Sequence, residues 1–139
     1  MVKTILLPTD GSGNSRRAVE QTVGLAEDLN AEIHGLSIAG EYASEQRQDQ
    51  LRSDPEDQAQ QALVEAKEVF DRADVDFVST IREGTPHKQI LDYARTNDID
   101  MIIMGTHGRT GLKRALIGSV AEKTVRNSPV PVMMVPPEE

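Results

Sequence analysis

The chain has 139 residues, 15 Lys/Arg against 23 Asp/Glu for a net charge of −8, and neither cysteine nor tryptophan. The length suits a single domain, read as spanning residues 1–139, and the lack of cysteine excludes disulfides, thiolate metal sites and Cys nucleophiles together. An acidic chain poor in stacking platforms argues against nucleic-acid binding, and no run approaches the roughly 20 apolar residues of a membrane span. With no signal-peptide pattern in MVKTILLPTD, the expectation is a cytoplasmic protein without nucleic-acid or membrane partners.

Residues 2–7, VKTILL, form a short apolar run before Pro8 and read as a strand buried on both faces. After Asp10-Gly11-Ser12-Gly13, residues Ala18, Thr22, Leu25, Ala26 and Leu29 share one helical face, with Ser12, Asn14 or Ser15 as N-cap. Residues 32–38, EIHGLSI, alternate as a second strand, although Gly35 breaks the pattern. Residues 41–54 carry no apolar stripe and read as a mobile connector.

From Asp54-Pro55, residues Ala59, Ala62, Leu63, Ala66, Val69, Phe70 and Ala73 recur at helical spacing. VDFVSTIR at 75–82 reads as a third strand, and Thr85-Pro86 opens a third helix through Ile90, Leu91 and Ala94. MIIM at 101–104 and VPVMMV at 130–135 are the last strands, with a helix over Val120 to Arg126 between them. Strands separated by helical crossovers predict an α/β fold with one parallel sheet and helices on both faces, and ligands then bind at the carboxyl ends of the strands.

Charge is distributed unevenly. Residues 41–76 hold 11 Asp/Glu against 4 Lys/Arg, whereas 105–128 hold 5 Lys/Arg against 1 Asp/Glu. The basic island contains Gly105-x2-Gly108-x9-Gly118-Ser119 at the end of the fourth strand. Glycines there allow backbone N–H groups to approach a phosphate, and a helix starting at Ser119 directs its positive end at an anion. Turns plus a Ser119/Glu122 capping box would be the purely local explanation. The spacing fits neither a Walker A loop nor a dinucleotide G-x-G-x-x-G.

This motif, the first strand's ending in Pro8-Thr9-Asp10-Gly11-Ser12, the positions Gly84, Pro86, Ile90, Ala94 and Asp100, and the closing P-V-P-V strand together resemble the ATP-binding branch of the universal stress protein family. The resemblance implies a three-layer, flavodoxin-like (adenine nucleotide alpha hydrolase-like) fold with strand order 3-2-1-4-5 and a nucleotide across strands one and four. Gly105, His107, Gly108, Gly118, Ser119 and Val120 match the phosphate and ribose segment, with Met104 at its start. Pro8, Thr9 and Asp10 match the first loop, where the Thr9 backbone meets adenine and Asp10 meets the ribose or a Mg²⁺-bound phosphate. Ile38 or Ala39 would line the adenine pocket.

Arg109 ranks first among Arg109, Lys113 and Arg114 as a phosphate neutraliser because it adjoins Gly108, and the backbone N–H of His107 is a stronger candidate than its ring. His34 and His87 read as ordinary strand or surface residues. The expected ligand is ATP, or AMP or ADP, with Mg²⁺, acting as a switch in a stress-response protein. No dedicated catalyst is visible, so the alternatives are a nucleotide-independent interaction module and a slow ATPase or autophosphorylating enzyme. Val130, Val132 and Val135 on the terminal strand, which would lie at a sheet edge, predict a homodimer.

Overall fold

Residues Ile5, Leu6 and Leu7 are all 0% exposed, as a strand covered on both faces requires. They belong to β1 (Thr4–Pro8) of the computed structural model, which describes residues 1–40, 54–107 and 117–138. Then follow α1 (Gly13–Leu29), β2 (Glu32–Gly40), α2 (Pro55–Arg72), β3 (Phe77–Gly84), α3 (Pro86–Thr96), β4 (Met101–Gly105), α4 (Ser119–Asn127) and β5 (Val132–Val135). The five strands form one parallel sheet in the order β3-β2-β1-β4-β5, the doubly wound arrangement expected.

Alternation along β1 divides the core into two. Ile5 and Leu7 pack with Ala18, Val19 and Ala26 of α1 and Ala66 and Phe70 of α2. Leu6 faces the other way, onto Ile90, Tyr93 and Ala94 of α3 and Ala121 of α4. Among the described residues no helix is long and apolar enough to cross a membrane.

Strand boundaries follow pairing rather than composition. β2 runs two residues past Ile38 because it stays paired with β3 as far as Gly40–Gly84. β5 starts at Val132, not at Val130: the Val130 N–H donates to Ser128 Oγ at 3.1 Å, and the Ser128 hydroxyl donates to the Val130 carbonyl at 2.6 Å, closing a turn before the strand. Gly35, out of place in an apolar alternation, lies under the Phe77 ring. A Cβ there would sit 2.2 Å from Phe77 Cζ, and the same ring stacks on Phe70 with centroids 5.4 Å apart.

Pro8 is the less expected feature, because a proline in a central strand removes a ladder donor. The Thr9 N–H donates to Leu36 O of β2 at 2.9 Å, so by strand alternation the position of the missing Pro8 N–H faces β4. Pairing between β1 and β4 covers only Ile5–Met101 and Leu6–Ile102. The proline therefore falls where these two strands part.

At the opposite end of the sheet, Asp100 Oδ2 accepts the N–H groups of Lys3 at 2.9 Å and Thr4 at 3.0 Å, and the Asp100 N–H donates to Thr4 O. These two backbone donors, helped by the charges of the amino terminus and Lys3 and opposed by burial, hold the Asp100 carboxyl below the usual carboxylate range. A depressed folded-state pKa stabilises above the unfolded value, and the stabilisation is lost as pH falls through the folded one. In denaturant titrations the wild type should exceed Asp100→Asn in stability at neutral pH, with the gap closing well below pH ~4. A gap that stays constant across that range would contradict the assignment.

Candidate functional site

Where β1 and β4 separate, β4 remains paired with β5 as far as Gly105–Val135. This parting is the topological switch point of the sheet, where strand order reverses and open α/β domains hold ligands. Three chain segments meet around it: the loop after β1, the end of β4, and the start of α4.

The first loop is held by a run of hydroxyls. Thr9 is buried; its carbonyl accepts Ser37 Oγ at 2.7 Å, and its Oγ1 donates to Ser15 Oγ at 3.1 Å. With its N–H on Leu36 O, the Thr9 backbone is anchored to β2. Asp10 is half-buried, and its Oδ1 accepts the Ser12 N–H at 2.9 Å, which fixes the turn into α1. Ser12 is the N-cap of α1, and its Oγ accepts the Ser15 N–H at 3.3 Å.

Asn14, one of the three cap candidates, instead sits inside the first turn, 8% exposed. Its Nδ2 donates to Val135 O at 2.9 Å, while its Oδ1 accepts the His107 N–H at 2.7 Å and the Thr106 hydroxyl at 3.3 Å. Only this amide orientation satisfies the contacts, since a flip would set donor against N–H and carbonyl against carbonyl. The His107 N–H, expected to meet a ligand, is thus committed to Asn14. The His107 ring places Nδ1 2.7 Å from Thr106 Oγ1.

Gly105 has a local reason to be glycine. A Cβ there would lie 2.9 Å from Asn14 Cγ and 3.1 Å from the Asn14 carbonyl oxygen. The close approach of α1 to the end of β4 is what requires it.

The third segment is the start of α4. Gly118 is its N-cap, makes no side-chain capping bond, and donates its N–H to Thr106 O at 2.7 Å. Ser119 is the first helical residue, so the Ser119/Glu122 capping box does not form, and the first helical bond runs from the Glu122 N–H to Gly118 O. The first-turn N–H groups of an α-helix have no partner inside the helix, and Gly118 has no side chain with which to cap them. A helix terminus in that condition favours an anion. Ser119 is exposed and Val120 half-buried beside it, whereas Gly118 is buried.

Pro8, Thr9, Asp10, Met104, Gly105 and His107 thus fall at the carboxyl ends of β1 and β4, and Gly118, Ser119 and Val120 open α4, which the Gly118–Thr106 bond ties to the end of β4. Ile38 and Ala39, both half-buried, end the adjacent β2. Gly108 and Arg109, with Lys113 and Arg114, lie outside the described residues, as does the connector expected over 41–54 except for Asp54, which caps α2.

The remaining histidines stand apart. His34 links β2 to α3, with Nδ1 2.7 Å from Tyr93 Oη and Nε2 2.7 Å from Glu32 Oε1. His87, in the first turn of α3, is held below the usual imidazole range by burial, then by Lys123 and Lys88. Asn14, Thr106 and Ser37 are contributors that sequence reasoning missed. Their signal is only the bonding capacity of small polar residues beside strand ends, which many surface residues share.

The fold is a doubly wound α/β domain with a glycine-capped helix terminus beside the switch point of its sheet. The sequence pattern of the Universal stress protein family matches residues 1–136, and the chain belongs to that family. Universal stress protein MJ0531 of Methanocaldococcus jannaschii is 31% identical over 140 residues, which cover 97% of this chain and 82% of that one. The solved structure of MJ0577 from the same organism has a TM-score of 0.85 and 29% identity, covering 100% of this chain and 99% of that one. A universal stress protein family member from Arabidopsis thaliana, solved with AMP bound, shares the fold at a TM-score of 0.77 and 18% identity, covering 98% and 92%.

The capping assignment separates two serines. Ser12→Ala should cost about 1 kcal/mol of stability as a lost N-cap, whereas Ser119→Ala should change stability by less than about 0.5 kcal/mol. Chemical denaturation checks both, and equal losses would contradict the placement of the α4 cap at Gly118.

Proposed function

We propose that this chain binds an adenine nucleotide, ATP or its shorter relatives ADP and AMP, across the carboxyl ends of β1 and β4, and that occupancy sets a conformation or assembly state. The observation that carries the reading is the α4 terminus. A glycine N-cap gives the first-turn N–H groups of α4 no capping side chain of its own, and the Gly118 N–H ties this helix start to Thr106 at the end of β4. The AMP held by the Arabidopsis protein of the same fold supports the ligand class.

In this reading the phosphates lie against Gly118, Ser119 and Val120, and the ribose and base extend over Thr9 and Asp10 toward Ile38 and Ala39. Among the described residues no group of three His, Asp or Glu side chains gathers to hold a metal ion. Asp10, whose Oδ1 accepts the Ser12 N–H, is the carboxylate that would partner a Mg²⁺ brought in by the phosphates. Such an ion would neutralise phosphate charge beside an acidic chain.

A homodimer through β5 belongs to the same proposal. Among the described residues β5 pairs only with β4 and forms one edge of the sheet, with Met133 40% exposed. Val135 is buried within its own chain against the α1 side of the core, so contacts across the edge fall to Val132, Met133 and Val130.

Isothermal calorimetry with Mg-ATP tests the reading. Micromolar binding is expected for the wild type, weakened at least about tenfold in Gly118→Val. Gly118 has φ −62° and ψ 154°, a conformation that valine adopts without strain. Unchanged affinity in a variant with native circular dichroism would contradict the site.

A further inference from the structure

Asn14 spends both lone pairs of its amide oxygen and one amide hydrogen on three bonds between elements far apart in the chain. It joins α1 to His107 and Thr106 after β4 and to Val135 at the end of β5. The Thr106 peptide extends this junction in both directions: its N–H donates to Val135 O at 3.1 Å, and its carbonyl accepts the Gly118 N–H at 2.7 Å. The N-cap of α4 is therefore connected to Asn14 through one peptide unit. Gly105 closes the arrangement from behind, because any Cβ there would push on Asn14 Cγ.

We propose that Asn14 is the positioning residue of the phosphate side of the crevice: it fixes Thr106, and through Thr106 the α4 terminus, in the geometry that receives an anion. The inference rests on the nucleotide-binding reading given above. Asn14 does not contact the ligand in this scheme, since it is buried and its amide oxygen is fully used within the protein. Its effect reaches the ligand through the Gly118 N–H to Thr106 O bond and the orientation of the first turn of α4. The residue type follows from the task. Here the side chain must accept from an N–H and donate to a carbonyl in one plane, which a carboxylate or a hydroxyl does less completely.

Removing Asn14 should weaken phosphate binding without weakening nucleoside binding, because the base and ribose lie on the β1 and β2 side of the crevice. A purely structural residue would lower stability and leave the ratio of the two affinities alone. The experiment measures Mg-ATP and adenosine binding, by calorimetry and ligand-observed NMR, for the full-length wild type, Asn14→Ala, Gly105→Ala and Val19→Ala. Gly105→Ala displaces the Asn14 side chain from the opposite direction, and Val19→Ala destabilises the α1 core without touching the junction.

The expected result is a loss of about tenfold or more in ATP affinity for both Asn14→Ala and Gly105→Ala, with adenosine affinity unchanged and both ligands unaffected in Val19→Ala. If Asn14→Ala fails to fold, Gly105→Ala supplies the comparison. Equal ATP affinity in the wild type and a folded junction variant would overturn the positioning role alone, as would a parallel loss of ATP and adenosine binding. No ATP binding by the wild type would overturn the nucleotide reading, and the positioning role with it.

Discussion

The parting of β1 and β4 beyond Leu6 and Ile102 is the constraint on which the rest of the structure depends. In a sheet ordered β3-β2-β1-β4-β5, crossovers leave β1 toward one edge and β4 toward the other. Their carboxyl ends are therefore not bridged by a common connection, and a crevice opens between them. Pro8 supports the parting by lacking the N–H that would face β4. A continuous ladder there would join the ends of β1 and β4.

A crevice between two strand ends is only as rigid as the bonds across it. On one side Ser37 and Leu36 anchor Thr9 to β2. On the other, Asn14 and Thr106 tie α1, β4, β5 and the start of α4 to a single point. Backbone groups take part in nearly all of these bonds, and the side chains that join them, Ser37, Asn14 and Thr106, are short, so none of these ties depends on a long flexible side chain. That is a suitable frame for a ligand recognised through its phosphates and the shape of its base, where preorganised donors limit the ordering cost of binding.

The order of elements was legible because glycine, proline and acidic residues punctuate the chain between apolar runs, and the two-faced burial of β1 shows in its unbroken Ile-Leu-Leu. Boundaries were less so. The extra length of β2 and the late start of β5 depend on which neighbour each residue pairs with, and Val130 is withdrawn from the strand by a serine hydroxyl two residues away. Gly35 breaks the alternation of its strand for a tertiary reason, the Phe77 ring above it. The glycine-rich segment was visible as a unit, yet its members differ in what they do: Gly105 yields space to Asn14, while Gly118 caps a helix without a side chain. Asn14 gave no warning, because a buried amide that joins three elements looks in sequence like any polar residue at the start of a helix.

The central claim is that an adenine nucleotide occupies the parting of β1 and β4 with its phosphates on the α4 terminus. Amide chemical-shift mapping of the labelled protein on addition of Mg-ATP tests it most directly. The account predicts shifts concentrated at residues 9–12, 36–39, 105–107 and 117–121, with the largest at Ser119 and Val120. Saturable shifts centred instead on the β5 edge around Met133, or at the opposite end of the sheet around Lys3 and Asp100, would contradict it.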